Sequence, residues 1–309
     1  MTRPTPMVID TDPGCDDALA ILGALADPTI DLVGLSAVYG NVPVETASRN
    51  ARQLVDLAGA DVPVAEGAGN PLVQPRHPPA DFVHGTGGFG EAALPAPARP
   101  LDPRPAHRFL AETAAQHRGA LVLVAIGPMT NLALALQHHP QIAHDVARVV
   151  LMGGTWRHRG NVSDAAEANF WNDPHAAAAV LAAPWDVTMV GLDVTETVRL
   201  YPDDLDPMPT ASPRAGAFLR HALAFYDAFH TRTRGFTGCF LHDPVAMMAA
   251  EDPALLETRP VPLSVAPDGA AAGGCVPAPG AKPTLVAVSA NGPALRRRLI
   301  DTLCSGRLP

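Results

Sequence analysis

The chain of 309 residues has almost no lysine, since Lys282 is the only one beside 21 arginines. A phosphate-binding loop of the GxxxxGK[ST] type would have to use Lys282, which lies instead in the stretch GAKPTL between two strand-like runs. That kind of nucleotide site is therefore excluded. The same scarcity argues against catalysis through an imine between a lysine and a carbonyl substrate.

Long apolar runs and paired cysteines are also missing. No run of about 18 apolar residues occurs, so the chain predicts no membrane span. Its four cysteines are scattered without a CxxC pair, and the first residues, MTRPTPMVID, form no apolar signal segment. We therefore expect a protein of the reducing cytoplasm, without a disulfide framework or a zinc knuckle.

Basic residues are outnumbered by acidic ones, 22 against 31, which gives a formal net charge of −9. Proteins that bind nucleic acid or anionic lipid carry a basic surface, so neither partner is expected. Hydrophobic residues make up 47% of the chain and charged residues 17%, which favours a globular protein over a disordered one. The expected partners are small molecules or other protein chains.

Apolar runs alternate with helical patterns, beginning with VID, DDALAILGALAD and LVGLSAVYG and resuming with ALVLVAIG, MTNLALALQHH and VARVVLMGG. Continuous apolar runs are typical of strands that crossover helices bury on both faces. The sequence thus predicts an α/β fold, Rossmann-like and doubly wound, with a mostly parallel central sheet flanked by helices. No linker or repeat divides the chain, so residues 1–309 are interpreted as one domain.

Two segments break this alternation. Residues 67–105 are rich in proline and glycine and predict a long loop, which in a compact domain is usually functional or mobile. Near the end of the chain, VPLSVA at 261–266 and PTLVAVSA at 283–290 predict two last strands before a final helix.

The strongest motif for chemistry follows the first strand, where four carboxylates occur in the eight residues Asp10-Thr11-Asp12-Pro13-Gly14-Cys15-Asp16-Asp17. Alternation places Asp10 and Asp12 on one side of the strand, and Asp16 and Asp17 open the next helix. Four negative charges so close repel one another, which predicts a hard cation bound by carboxylate oxygens. The alternative, two helix-start acids and two solvated aspartates, explains only the second pair.

Polar residues follow several later strands in the same way, at the edge where open α/β sheets bind ligands. Each is ordinary alone, because Asn41 and Asn131 could be turn or helix-start residues and a histidine before a capping aspartate is often a surface residue. Their shared location indicates a site. The residues are Tyr39 to Asn41, Gly127 to Asn131, Leu151 to Gly154, Gly160-Asn161, Glu167 to Asn169, and Leu241 to Pro244.

The stretch Gly85-Thr86-Gly87-Gly88-Phe89-Gly90 matches the GxGxxG pattern of dinucleotide sites. Such a site must follow a strand and open a helix, whereas this stretch lies between QPRHPPADFVH and a proline-rich run. We therefore interpret it as a flexible glycine loop beside the site. His84 at its edge is either a ligand contact or a loop-surface residue.

Together these motifs resemble those of the nucleoside hydrolases of the inosine-uridine-preferring type, which cleave the N-glycosidic bond of ribonucleosides. The resemblance covers nearly the whole chain, and its most specific element is DTDPGxDDA at Asp10 to Ala18. The supporting motifs are YGN at 39–41, PMTN at 128–131, LMGG at 151–154, AEAN at 166–169, GLD at 191–193 and HDP at 242–244.

The resemblance implies a nucleoside hydrolase fold and one tightly bound Ca²⁺, held by the side chains of Asp12, Asp17 and Asp243 and by the main-chain carbonyl of Thr130. It also implies that Asp12 holds the attacking water and that His242 serves the leaving base. Met152 would line the sugar pocket, and the hydroxyls of ribose would be bound by Asp16, Asn41, Asn161, Glu167 and Asn169. A homo-oligomer, dimer or tetramer, and a role in nucleoside salvage are expected as well.

Two positions bear on how far the resemblance extends. Ala168 stands where the family commonly has an aromatic residue, so a ring contact with the sugar is missing there. On the helix before HDP, Tyr226 and His230 resemble residues that recognise the base, although both could be ordinary residues of a helix face. Tyr226 fits the inosine-uridine type better than the cytidine-uridine type, whereas His230 matches neither. An inosine-uridine type of specificity is favoured, and the preferred base is left open.

Two other classes of protein remain as alternatives. Asp10-Thr11-Asp12 superficially matches the DxDx[TV] motif of haloacid-dehalogenase-type phosphatases, but Gly14 stands where that motif needs Thr or Val, and only Lys282 could bind the phosphate. A nucleoside-binding protein without catalytic activity could use the same fold. The intact set of Asp12, Asp17, Asp243 and His242 argues against this second alternative.

Overall fold

The computed structural model describes residues 3–309, which form twelve strands and thirteen helices. The strands are β1 (Thr5–Thr11), β2 (Ile30–Ala37), β3 (Val64–Glu66), β4 (Val122–Ala125), β5 (Arg148–Met152), β6 (Val187–Val190), β7 (Arg199–Leu200), β8 (Cys239–Phe240), β9 (Leu256–Val261), β10 (Leu263–Val265), β11 (Cys275–Pro277) and β12 (Thr284–Ala290).

The helices are α1 (Cys15–Ala26), α2 (Val44–Leu57), α3 (Asp81–His84), α4 (Ala106–Gln116), α5 (Thr130–His138), α6 (Ile142–Asp145), α7 (Ala168–Asn172), α8 (Pro174–Ala182), α9 (Leu192–Thr195), α10 (Met208–Ala211), α11 (Pro213–Arg234), α12 (His242–Glu251) and α13 (Gly292–Leu303). Short 3₁₀ helices cover Pro202–Leu205, Pro253–Leu255 and Gly269–Ala271.

The central sheet has eight strands in the spatial order β3-β2-β1-β4-β5-β6-β12-β9. All neighbours are parallel except β9, which runs antiparallel to β12 at the edge. The chain moves outward from β1 to β3 and then continues on the other side from β4 to β6. The direction of winding therefore changes between β1 and β4, and ligands of open α/β sheets bind at the carboxyl ends of the strands at such a point. The predicted doubly wound, mostly parallel architecture is confirmed.

Helices cover both faces of the sheet because side chains alternate along each strand. Met7 and Ile9 of β1 belong to a buried apolar cluster with residues of α1, α11, α12 and α13. Val8, between them, belongs to a second cluster with residues of α4, α5 and α8. Burial on both faces explains why β1, β4 and β5 are continuous apolar runs.

The C-terminal strands differ from the prediction. The run VPLSVA does not form one strand, because Val261 ends β9 and Leu263–Val265 form β10, which pairs with β11 in a separate two-stranded sheet. Pro262 lies between them and has no N–H to donate to a strand ladder. The edge strand of the central sheet is LETRPV, whose polar composition conceals it from a search for apolar runs. The other predicted strand, PTLVAVSA, is confirmed as β12.

Residues 67–105 contain the single helical turn α3 and an isolated bridge between Ala65 and Asp102, and are otherwise loop as predicted. Within the described range 3–309, the structure has no helix with the length and apolar character needed to cross a membrane.

Candidate active site

A cleft opens at the carboxyl edge of the sheet, around the point where the winding changes direction. The empty space in it is about 800 Å³, which includes part of the open mouth. The structure brings eleven of the predicted site residues to its lining. They are Asp16, Asn41, His84, Met152, Asn161, Glu167, Asn169, Tyr226, His230, His242 and Asp243.

Three predicted residues, Asp12, Asp17 and Thr130, are buried behind this lining. Asp12 and Asp17 adjoin it through Asn41, which lines the cleft and donates from its main chain to Asp12 and from its side-chain amide to Asp17. Thr130 follows β4, whose carboxyl end lies beside that of β1. The structure therefore places all fourteen predicted residues in one region, in two layers.

Three buried carboxylates meet beside the cleft. One oxygen from each of Asp16, Asp17 and Asp243 lies within 4.8 Å of the other two. Asp16 and Asp17 belong to the first turn of α1, and Asp243 belongs to the first turn of α12. Burial, followed by the charge of Asp17, raises the pKa of Asp16 to about 8, and burial also raises the pKa of Asp17 and of Asp243. A compact set of carboxylate oxygens without nitrogen or sulfur ligands is a set that fits Ca²⁺.

Asp12 adjoins this group. Its Oδ2 accepts a hydrogen bond from the main-chain N–H of Asn41 at 2.6 Å, and its Oδ1 is buried without a partner. Burial and the charge of Asp17 raise the pKa of Asp12 well above its usual range. The turn after β2 can come this close only with glycine, because a Cβ on Gly40 would lie 2.0 Å from Oδ2. A buried carboxylate oxygen without a protein partner leaves room for a ligand, and Oδ2 of Asp10 is a second such oxygen in this motif.

Asp10 is set apart from the other carboxylates of its motif. Its Oδ1 accepts hydrogen bonds from the hydroxyl of Ser36 and from the amide of Asn131, the latter at 2.8 Å. Asn131 also donates to the carbonyl of Ala37 and accepts from the N–H of Ala68, so Asp10 belongs to a network that joins β1, β2 and α5. Burial raises the pKa of Asp10 to about 7. The alternation of side chains along β1 could not show that Asp10 makes hydrogen bonds within the fold.

Thr130 is the first residue of α5 and is fully buried. Its hydroxyl donates to Oδ2 of Asp173 at 2.8 Å, and the same carboxylate accepts from the main-chain N–H groups of Leu72 and Ala176. Asp173 therefore holds the start of α5 against the start of α8 and against the loop before α3. The sequence analysis did not single out Asp173, whose position before Pro174 is a recognisable helix-start signal.

Glu167 precedes α7 and caps it. Its carboxylate accepts hydrogen bonds from the main-chain N–H groups of Asn169 and Gly154, each at 2.8 Å, and of Phe170 at 3.2 Å. Burial raises its pKa to about 7, and these hydrogen bonds oppose the shift. The acid thus joins the end of β5 to α7 while it lines the cleft.

Two asparagines beside it are oriented by the main chain. The amide of Asn169 donates to the carbonyls of Ile126 and Met152, which leaves its Oδ1 as a free acceptor. Asn161 accepts from the N–H of Ala168 at 3.0 Å, which leaves its amide N–H groups as free donors. This side of the cleft therefore offers a hydrogen-bond acceptor, Oδ1 of Asn169, and hydrogen-bond donors, the amide N–H groups of Asn161, to the hydroxyls of a ligand.

Imidazole and phenol groups form another part of the lining. His84 accepts a hydrogen bond at Nδ1 from the N–H of Cys15 at 3.1 Å, so its neutral ring carries the proton on Nε2. Burial lowers the pKa of His84 to about 3. Its ring stacks on Tyr226, with the ring centroids 5.3 Å apart, and the Tyr226 hydroxyl donates to Oδ2 of Asp16 at 3.4 Å.

His230 has the opposite arrangement. Its Nδ1 lies 2.9 Å from the carbonyl oxygen of Tyr226, and because a carbonyl can only accept, Nδ1 carries the proton and Nε2 is an acceptor. Burial lowers the pKa of His230, which favours this neutral form. Arg234 lines the cleft one helical turn further along α11, where its guanidinium donates to Glu196 at 3.0 Å.

His242 begins α12 and faces the cleft beside Asp243. Its Nδ1 lies 2.8 Å from the hydroxyl oxygen of Thr195, and its Nε2 has no partner among the described residues. Burial and the neighbouring His230, Arg234 and His84 lower the pKa of His242 to about 3.

Several residues of the lining were missed by the sequence analysis. Phe82 of α3 is exposed at the mouth and meets Phe229 of α11 edge-on, with centroids 5.9 Å apart. Arg234 also lines the cleft, as does Phe240 two residues before His242. Helical spacing could have found Phe229 and Arg234, which lie three and eight residues after Tyr226. Phe82 lies in the predicted loop 67–105, where periodicity offers no signal.

A ligand for this cleft must present hydroxyls to the amides and carboxylates, and a flat heteroaromatic group to the imidazoles and aromatic rings. A nucleoside has both parts, so the fold and the cleft together define the class of the nucleoside hydrolases. The profile of the inosine-uridine preferring nucleoside hydrolases matches residues 7–297, and the chain belongs to this family. It is an enzyme that hydrolyses ribonucleosides.

Known relatives resemble the chain over most of its length. Uridine nucleosidase 1 of Arabidopsis thaliana is 40% identical over 250 residues, which are 81% of this chain and 74% of that protein. The non-specific ribonucleoside hydrolase RihC of Salmonella enteritidis is 41% identical over 248 residues, which are 80% and 78% of the two chains. The purine-preferring ribonucleoside hydrolase from Gardnerella vaginalis has a solved structure that matches with a TM-score of 0.94 at 32% identity, covering 98% of this chain and 99% of that one.

The alternatives from the sequence do not hold. The ammonium group of Lys282 donates to the carbonyl of Trp185 at 2.6 Å and to Asp186 at 3.0 Å, immediately before β6. This is the amino edge of the sheet, opposite the cleft, so Lys282 does not serve as a phosphate-binding residue of a phosphatase. Because the chain belongs to the nucleoside hydrolase family, the alternative of a nucleoside-binding protein without catalytic activity is not retained.

Proposed function

We propose that the protein is a calcium-dependent hydrolase that splits ribonucleosides into ribose and free base, with Asp12 activating the water and His242 serving the leaving base. The observation that carries this proposal is that one cleft joins buried carboxylates, groups for binding hydroxyls, and a wall of imidazoles. Hydrolysis at an anomeric carbon needs an activated water and a separate group that assists the departing base. The cleft offers candidates for both tasks.

Asp12, Asp17 and Asp243, with the main-chain carbonyl of Thr130, are the residues that would hold the ion. Asp17 and Asp243 belong to the group of three buried carboxylates that lie within 4.8 Å of one another, and Asp16, not Asp12, is its third member. Asp12 is included because it lies close enough to Asp17 for that charge, after burial, to raise its pKa. When bound, calcium would activate water and orient the hydroxyls of the substrate. Asp16, which shares the carboxylate cluster and also lines the cleft, is proposed to accept from a ribose hydroxyl.

Asp12 is proposed to accept a proton from the attacking water through Oδ1, because Oδ2 is occupied by the N–H of Asn41. Positive charge develops on the ribose ring as the N-glycosidic bond breaks. The carboxylates of Asp16 and Asp243, which line the cleft, are proposed to stabilise that charge.

The base is proposed to contact His84, Tyr226, His230 and His242. Departure of a purine anion is unfavourable, so an N–H beside N7 of the base assists its release. His242, next to the carboxylates, is the donor that we assign to this step.

The preference of the enzyme is proposed to be of the inosine-uridine type. His230 presents an acceptor at Nε2, and Arg234 presents donors one helical turn away. Hypoxanthine and uracil both carry a ring N–H beside a carbonyl oxygen, which complements this pair. Adenine and cytosine carry an acceptor nitrogen beside an amino group, which opposes it. The matched relatives are named for uridine, non-specific and purine substrates, so family membership alone leaves the choice open.

Cytoplasmic location, assembly as a dimer or tetramer, and a role in nucleoside salvage stay predictions. Light scattering of the purified protein would measure the assembly, and a tagged protein would show the location.

The first prediction concerns the ion. Asp17→Asn and Asp243→Asn should each weaken binding of Ca²⁺ by about 10-fold or more, because each removes a charged oxygen ligand. Titration calorimetry with Ca²⁺ alone measures this directly. Asp10→Asn is the matched control and should keep its affinity within a few-fold, since Asp10 bonds to Ser36 and Asn131 instead. Unchanged binding in both test variants would remove the proposed site. Prolonged chelation should abolish activity, and added calcium should restore it.

The second prediction concerns the sugar. Inosine should be turned over with a kcat/KM about four decades above that of 2′-deoxyinosine, because groups built to bind a hydroxyl are left unpaired without it. The residues at stake are Asp16, Asn41, Asn161, Glu167 and Asn169. Release of reducing sugar from both substrates in the presence of calcium measures the ratio. Equal turnover would contradict the assignment of these residues to the ribose.

The third prediction concerns the base. Inosine and uridine should exceed adenosine and cytidine in kcat/KM by about 10-fold or more, the scale of a hydrogen bond to a charged group. Arg234→Gln should shrink this ratio, whereas Arg232→Gln, on the exposed side of the same helix, should leave it unchanged. A ratio that is the same in the wild type and both variants would show that Arg234 does not read the base.

The fourth prediction concerns the leaving group. His242→Ala should lower kcat for inosine by about 10²-fold or more, the usual cost of removing one hydrogen-bond donor that faces developing negative charge. It should spare p-nitrophenyl riboside, whose leaving group departs as a stable anion. Equal losses on both substrates would assign His242 to binding or to the geometry of the metal site, and the donor would then be sought at Tyr226 or His84.

A further inference from the structure

The short helix α9 lies behind the cleft, at the GLD motif that the proposed mechanism does not use. It follows β6 at the same carboxyl edge of the sheet as the carboxylates. Asp193 accepts hydrogen bonds from the main-chain N–H groups of Trp156, Arg157 and His158, which fixes the loop after β5. Two residues further on, Thr195 turns its hydroxyl toward the opposite side, to His242.

The contact between Thr195 and His242 is short and enclosed. The hydroxyl oxygen lies 2.8 Å from Nδ1, and Thr195 has no exposed surface. Within the described residues this hydroxyl has no other hydrogen-bond partner. The other ring nitrogen, Nε2, has no protein partner either, and His242 lines the cleft.

The direction of this hydrogen bond follows from the rule that buried polar groups are satisfied. If Nδ1 of the neutral ring carried the proton, it would donate to the Thr195 oxygen, and the hydroxyl hydrogen would be buried without an acceptor. If the hydroxyl donates to Nδ1, both groups are satisfied. The neutral ring then carries its proton on Nε2, because the two nitrogens of a neutral imidazole share one proton.

We propose that Thr195 is a positioning residue that holds His242 in the tautomer whose N–H points into the cleft. The leaving base then meets a donor whose orientation is set before the substrate binds. This proposal rests on the proposed role of His242 and adds to it the residue that sets the tautomer.

The experiment uses three variants of the calcium-loaded enzyme. Thr195→Val keeps the shape and removes the hydroxyl, Thr195→Ser keeps the hydroxyl, and Thr197→Val is the matched control. The hydroxyl of Thr197 donates to the carbonyl of Val194 on the same short segment and does not contact His242. Thr195→Val should lower kcat for inosine by about 10- to 100-fold with a smaller change in KM, the usual cost of losing a second group that orients a reactive one. Turnover of p-nitrophenyl riboside should be spared.

Thr195→Ser should recover most of the inosine activity, and Thr197→Val should resemble the wild type on both substrates. Affinity for Ca²⁺ by calorimetry should be the same in all of them. A structural role for Thr195 would instead lower turnover of both substrates and calcium affinity together, and that result would overturn the proposal.

The tautomer itself is a readout that does not depend on turnover. In nitrogen-15 spectra of histidine-labelled enzyme, with the His242 signals assigned by comparison with His242→Ala, the wild type should show a protonated Nε2 and an unprotonated Nδ1. Thr195→Val should show loss of this single tautomer. A wild-type ring protonated on Nδ1 would overturn the inference.

The two proposals fail in different ways. If His242→Ala affects inosine and p-nitrophenyl riboside equally, the role of His242 in leaving-group release fails. If His242→Ala separates the substrates but Thr195→Val does not, only the assignment of Thr195 fails.

Discussion

Repulsion among Asp12, Asp16, Asp17 and Asp243 must be offset for these side chains to lie buried together, and much of the cleft is arranged around that requirement. Asp17 accepts from the hydroxyl of Thr11, the N–H of Gly14 and the amide of Asn41. Asp12 accepts from Asn41 alone and keeps one oxygen unpaired. Burial raises the pKa of every member of the group, so the protein supplies less stabilisation than these charges need. A bound cation is a physical solution to that deficit.

The sheet makes this concentration of charge possible. The parallel strands β1 and β4 end side by side, so the residues after them share one edge of the sheet. Asp16, Asp17 and Asp243 lie in the first turns of α1 and α12, where the positive ends of the helix dipoles favour negative charge. The carboxylates and the helix N-termini that stabilise their negative charge therefore lie at the same edge of the sheet, where the winding changes direction.

A second feature of the cleft is that the main chain uses up part of the hydrogen-bonding capacity of its polar side chains. The N–H of Cys15 occupies one nitrogen of His84, and the carbonyl of Tyr226 occupies one nitrogen of His230. The amide of Asn169 is likewise held by the carbonyls of Ile126 and Met152. Each side chain then presents one defined donor or acceptor to a ligand, because the other is already paired. Such preorganisation reduces the ordering cost of binding.

The sequence by itself determined the doubly wound sheet, since buried parallel strands must be continuous apolar runs and their connections must be helical. It also determined which acids and amides follow the strand ends, because the strand ends of a parallel sheet lie together whatever the details of packing. The exception was β9, a polar edge strand that periodicity does not distinguish from loop.

Only the tertiary structure decided which of these polar residues make hydrogen bonds within the fold and which adjoin the cleft. Asp10 and Asp12 are two residues apart, yet Asp10 pairs with Ser36 and Asn131 in the fold, whereas Asp12 adjoins the carboxylate cluster. Phe82 reaches the cleft from the segment 67–105, where no local pattern marks it as part of a site. The hydrogen-bond partner of His242 likewise depends on an atom of Thr195, 47 residues away along the chain. Hydrogen-bond partners are set by three-dimensional proximity at about 3 Å, whereas periodicity in a sequence reports only which face of a helix or strand a residue occupies.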